Sequence, residues 1–201
     1  MKFFLKSISY LFHPLFMPLI AVSFYYAKSP RYIPTQIIQA KIISLNILTL
    51  VLPILLFFLL KSLKRINSIH LNTTQERIIP LILFSVIIFL VLSKIFPQSD
   101  ILELYYFFVG VLIASLSCLF LAFFKFKASL HMAGISGVFM FFVALSIHYN
   151  ININGSLALL SIIIGLIATS RLYLNAHNYK ELVIGFFIGF VPQLILINYW
   201  L

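Results

Sequence analysis

The sequence predicts an all-α protein, a polytopic bundle of about six to seven transmembrane helices. Three observations predict it. Of the 201 residues, 63% are hydrophobic and only 9% charged, against about 25% charged in soluble domains. Apolar stretches near the ~20-residue length that crosses a bilayer as a helix recur along the whole chain. They are too long and too uniformly apolar for barrel strands, which leaves the helix as the spanning form that satisfies its own backbone.

The elements follow in order. The first apolar segment lies near 8–27. It has a basic start like a signal peptide but no small-x-small cleavage site, and Pro14 and Pro18 interrupt it. It reads as a retained first span or a re-entrant segment. The second lies near 41–60, with Pro53 predicting a kink. The longest polar stretch, from Lys61 to Arg77, follows. The third segment lies near 78–95 and stops before Pro97. The fourth lies near 102–124, the fifth near 131–147, the sixth near 155–170 and the seventh near 182–199. Residues 1–60 supply N-terminal membrane segments and 61–201 a helical core, within one integrated membrane domain. Gly185 and Gly189 form a small-xxx-small face for close helix packing. Tyr25, Tyr26, Tyr105, Tyr106, Tyr199 and Trp200 fit interfacial belts. Cys118, the single cysteine, supports neither a disulfide nor a cysteine metal site and reads as a buried small hydrophobe.

A net charge of +10 in such a chain belongs to loops and lipid headgroups, not to nucleic acid, because no soluble basic domain presents it. Alternating the spans puts ten of the fourteen lysines and arginines on the side of the N-terminus. That is the pattern of a multi-pass protein of a bacterial cytoplasmic (inner) membrane with these loops inside. Few ionisable groups fall within the spans, which disfavours an ion or proton relay.

One stretch, SRLYLNAHNYKE from Ser170 to Glu181, gathers several reactive side chains between two apolar runs. His177 and Glu181 are spaced i, i+4, which predicts one shared face if a helix runs through them. A carboxylate there holds an imidazole in one tautomer, and Arg171 supplies a forked anion clamp. Two spans separate Arg77 from the segment Lys125 to His131, and two more separate that segment from Arg171. Three polar segments remote in sequence are therefore expected at one membrane face.

These segments resemble the signatures of the type 2 phosphatidic acid phosphatase superfamily. SRLYLNAHNYKE is similar to its third signature, SRxxxxxHxxxD, with Glu181 in the place of the aspartate. KASLHMAG resembles the second, PSGH, with Ser129 and His131 at matching places but Ala128 and Leu130 for the proline and glycine. ERIIP is a weak match to the first, KxxxxxxRP: Arg77 stands for its arginine, Pro80 comes three residues later, and the lysine position falls on His70. The resemblance covers roughly residues 61–190 and implies a phosphatidic acid phosphatase-like helical core. It further implies His177 as nucleophile through a phosphohistidine, Glu181 as its orienter and His131 as general acid. Arg171, Arg77, Ser129, Lys127 and Lys125 would hold phosphate. The implied activity is hydrolysis of a lipid phosphate or diphosphate, with membrane lipid as partner and neither metal nor cofactor.

Other readings of the same residues stay open. The departures from the second and first signatures fit a protein that keeps the fold, lacks turnover, and binds anionic headgroups or supports an assembly. His131, His177 and Glu181 could in principle hold zinc. Lys125 and Lys127 also read as membrane anchors, Arg171 as a snorkelling arginine and Arg77 as a loop charge. His13, His70 and His148 read as structural.

Overall fold

The computed structural model describes residues 2–64 and 73–201; Arg65 and His70 of the polar stretch lie outside the described residues. Nine α-helices and no strand occur among those described. α1 (Lys2–Leu11) and α2 (Met17–Lys28) are joined by a 3-10 turn at Pro14–Phe16. α3 (Thr35–Asn46) passes through a π-helical turn, Ile47–Val51, into α4 (Leu52–Ser62). α5 (Thr74–Lys94), α6 (Leu102–Phe123), α7 (Leu130–His148), α8 (Asn154–Tyr173) and α9 (Tyr179–Leu196) complete the bundle. Seven helical segments are long and apolar enough to cross a membrane, as a multi-pass membrane protein requires.

Proline accounts for both irregular spans. Pro53 cannot donate to the carbonyl one turn back, and its ring crowds that carbonyl; the helix widens into the π turn just before it. Pro14 stops α1, so the first span is two helices with a break at His13–Phe16. The second half then runs beside α7 towards the opposite end. Met17 sits against Gly134, Phe24 stacks on Phe142 at 3.7 Å, and Tyr25 meets Tyr149 at 3.2 Å. The first segment thus passes from the N-terminal end of α7 to its C-terminal end.

α7 is the central helix and packs on α2, α6, α8 and α9. Its tightest neighbour is α9, and glycine sets that distance. A Cβ on Gly189 would lie 1.9 Å from the carbonyl oxygen of Ala133, and one on Gly185 would lie 2.7 Å from that of Ser129. The glycine face expected from GFFIG is therefore the α7–α9 contact. Across it, the Ser136 hydroxyl donates to Phe186 O at 2.7 Å. α3 and α4 sit at the edge, with Ile43, Ile47, Val51, Leu55, Phe58 and Leu59 exposed, as residues facing lipid would be.

The end of the bundle away from the N-terminus holds an ion network that the sequence did not announce. Glu103, 1% exposed, pairs with Arg31 at 2.8 Å and His148 at 3.3 Å, and accepts from the Tyr149 hydroxyl at 2.7 Å. The Tyr25 hydroxyl adds a longer contact of 3.5 Å. Burying a carboxylate is tolerated because charge and hydrogen bonds converge on it. The arrangement holds the end of α2, the start of α6 and the end of α7 together. It also corrects part of the aromatic-belt expectation: Tyr25 is fully buried and Trp200 nearly so, the latter against the His148 ring at 5.3 Å. His148 thus has Glu103 and Trp200 as neighbours.

Candidate functional site

The SRLYLNAHNYKE stretch folds as helix, turn, helix. α8 ends with Asn175 in the left-handed region at φ 50°, which asparagine tolerates better than most residues. The amides of Asn175 and Ala176 return to the carbonyls of Leu172 and Arg171 at 3.0 Å each, the paired closure that satisfies a helix C-terminus. α9 then opens on a capping box: Asn178 accepts from the Glu181 amide at 2.9 Å, and Glu181 Oε2 accepts from the Asn178 amide at 3.3 Å.

His177 lies in the turn, one residue before the cap. The condition for a shared helix face, a helix running through both residues, is therefore not met. His177 and Glu181 do meet, with Nδ1 2.7 Å from Oε2, but because the capping carboxylate reaches back out of the helix. A carboxylate only accepts, so Nδ1 carries the proton and Nε2 keeps the lone pair.

The three polar segments meet at this end of the bundle. Arg77 Nη1 donates to the carbonyl of Ala128 at 2.9 Å. Lys127 Nζ donates to the carbonyl of Ala176 at 3.3 Å. The Ser129 amide donates to the carbonyl of Glu181 at 3.1 Å. These bonds join α5, the α6–α7 loop and the α8–α9 turn. The charges also sense one another: Arg77 and Arg171 both act on His177, and Arg171 and His177 both act on His131. Arg77, Lys127, Ser129, His131, Arg171, His177 and Glu181 thus form one cluster.

Individual placements refine the expectations. Ser129 is fully buried and caps α7, its hydroxyl oxygen accepting from the Met132 amide at 3.5 Å. Lys125 is exposed and takes the left-handed closure of α6 at φ 59°. Cys118 is buried, as expected, beside Arg77. Two residues of the first segment join the cluster unforeseen. The Ser9 carbonyl meets His131 Nε2 at 3.1 Å, and its hydroxyl meets Arg171 Nη1 at 3.3 Å. The His13 ring packs edge-on to that of His131 at 5.4 Å. His13 carried no companion in the sequence, and Ser9 carried no signal at all; only the fold back of α1 onto α8 finds them.

Arg77, 6% exposed, Arg171 and Lys127 bring cationic side chains to the cluster, beside the Glu181 carboxylate. Burial first, and then the positive charge of Arg77 and Arg171, hold His177 below the ordinary histidine value, although the bond to Glu181 pulls the other way. Burial, followed by Arg77, lowers Lys127. Arg171 Nε is buried without a hydrogen-bond partner among the described residues. No group of three potential metal ligands occurs among the described residues. Partly desolvated cationic donors gathered in one place suit an anion.

No protein-family model, curated protein or solved structure matches the chain.

Proposed function

We propose that this protein is an integral-membrane phosphatase acting on a phosphomonoester or diphosphate carried by a lipid. The observation that supports it is the gathering of Arg77, Arg171 and Lys127 around an oriented neutral imidazole. Phosphoryl transfer asks a protein mainly for position and for positive charge around the equatorial oxygens. Arg77, Arg171 and Lys127 supply the charge. His177, with its proton held on Nδ1 by Glu181, offers Nε2 as nucleophile. In the first step the Nε2–P bond forms, the bond from phosphorus to the lipid oxygen breaks, and that oxygen takes a proton from His131, which is protonated once the bound anion offsets the cations around it. In the second, water attacks phosphorus, gives a proton back to His131, and the P–N bond breaks to release phosphate.

Depth along the spans supports a lipid substrate. Arg77, His131 and Arg171 all lie within a turn of the ends of apolar spans, the level at which headgroups sit.

A second reading is an anion-binding protein of the same architecture without turnover. It is favoured by the bonds the candidate groups already make: Arg77 to Ala128 O, His131 to Ser9 O and Ser129 to its own helix. One comparison separates the two. Purified wild type and His177→Ala are assayed in detergent for phosphate release from phosphatidic acid, phosphatidylglycerophosphate and an isoprenyl diphosphate. Release by wild type that the variant loses by at least about a thousandfold, with an unchanged melting temperature, supports the enzyme. Equal release by the variant removes it, and phosphate binding without release selects the second reading.

A further inference from the structure

The N-terminal helix reaches the cluster through one residue. Pro14 ends α1 early, so the Phe12 amide donates to Ile8 O at 3.0 Å and the His13 amide to Tyr10 O at 3.3 Å. No backbone amide then serves the carbonyl of Ser9, and His131 Nε2 takes it at 3.1 Å. A carbonyl can only accept, so Nε2 carries the proton and Nδ1 is the nitrogen left to exchange one with a ligand.

The Ser9 side chain adds a second hold. Its oxygen lies 2.7 Å from the Ser170 hydroxyl, which itself donates to Leu5 O at 2.6 Å. With the Ser170 proton committed to that carbonyl, Ser9 donates to Ser170 and accepts from Arg171 Nη1 at 3.3 Å. The chain from Arg171 through Ser9 and Ser170 to the α1 backbone runs in one direction, with both serines buried. It fixes one tooth of the guanidinium fork and leaves Nε, buried and without a partner among the described residues, for an anion.

We infer that Ser9 is a positioning residue of the site, holding Arg171 through its hydroxyl and His131 through its carbonyl. This rests on the phosphatase reading above. α1 is then a wall of the phosphate site and not only a membrane anchor. The side chain and the main chain of one residue divide the work: the hydroxyl governs how well phosphate is gripped, and the carbonyl governs which imidazole nitrogen moves a proton.

Substitution can remove the first function and leave the second. Full-length wild type, Ser9→Ala and Ser9→Thr are purified in detergent. Inorganic phosphate binding is followed by calorimetric titration, and phosphatidic acid hydrolysis by phosphate release. Loss of one hydrogen bond to a charged group predicts about tenfold weaker phosphate binding and about tenfold higher KM in Ser9→Ala. kcat should stay within about threefold, since the Ser9 carbonyl remains on His131, and Ser9→Thr should recover the binding. If the alanine variant does not fold, Ser9→Cys keeps the size, loses most of the acceptor strength and carries the same test. An active wild type whose Ser9 variants bind phosphate equally well, or whose threonine variant recovers nothing, overturns this inference alone. A wild type that neither binds phosphate nor releases it removes the phosphatase reading and this inference with it.

Discussion

Gly189→Ala tests the contact that holds the two halves of the cluster together. The added Cβ would lie 1.9 Å from Ala133 O and 2.4 Å from Ser136 Oγ. An ordinary contact begins near 3.4 Å, so α9 must move off α7 by about 1.5 Å. The atom it meets first is helix backbone, which cannot swing aside as a side chain would. Overpacking of this kind costs about 1–3 kcal/mol. Displacing Ser136 also strains its 2.7 Å bond to Phe186 O, worth about 1 kcal/mol. A total of about 3 kcal/mol lowers the melting temperature of a chain this size by roughly 6–12 °C. Gly165→Ala is the internal control. Nothing lies within 4 Å of its Cβ, and alanine in mid-helix is favoured over glycine by about 1 kcal/mol. Melting of the two variants in detergent, read by tryptophan fluorescence, should therefore move in opposite directions. On the phosphatase reading, phosphate release from Gly189→Ala should also fall by about a hundredfold, because α9 carries Glu181 away from His131 and a shift of ~1 Å costs that much. A Gly189→Ala protein as stable as wild type would refute the packing argument.

Two further predictions follow. His177 has a folded value below its ordinary one, so below about pH 6.5 the unfolded chain binds more protons at this residue than the folded one. Its contribution to stability is complete above that pH and is lost as the pH falls towards the lowered folded value; melting curves of His177→Gln should show a shallower acid decline than wild type, and parallel curves would count against the assigned direction. At the other end of the bundle, Glu103→Gln removes the charge that Arg31 and His148 share and should cost about 1–3 kcal/mol, discounted from a fully buried pair because Arg31 is 46% exposed. Phosphate binding should not change in that variant, and unchanged stability would show that the network holds nothing together.

The membrane class and the helix positions were legible in the chain because they depend on local quantities. A run of about 20 apolar residues determines a span by itself; the Asn175 turn and the Asn178–Glu181 cap carry local signals too but were not read from the sequence. The parity of the spans was enough to bring Arg77, Lys127 and Arg171 to one end of the bundle, and the GFFIG spacing was enough to predict close packing by α9. What the tertiary structure decided is everything that depends on which surfaces touch. His177 and Glu181 read as one helix face, yet they meet across a helix start. Tyr25 and Trp200 looked like residues for the interface and are buried because Glu103 and His148 need partners. Ser9 had no distinguishing neighbour in the sequence. It entered the cluster only because Pro14 freed a carbonyl and α1 packed on α8. Periodicity and capping act over a few residues and leave a mark in the order of the chain. A contact between positions 9 and 171 depends on how whole helices pack, and no local pattern records it.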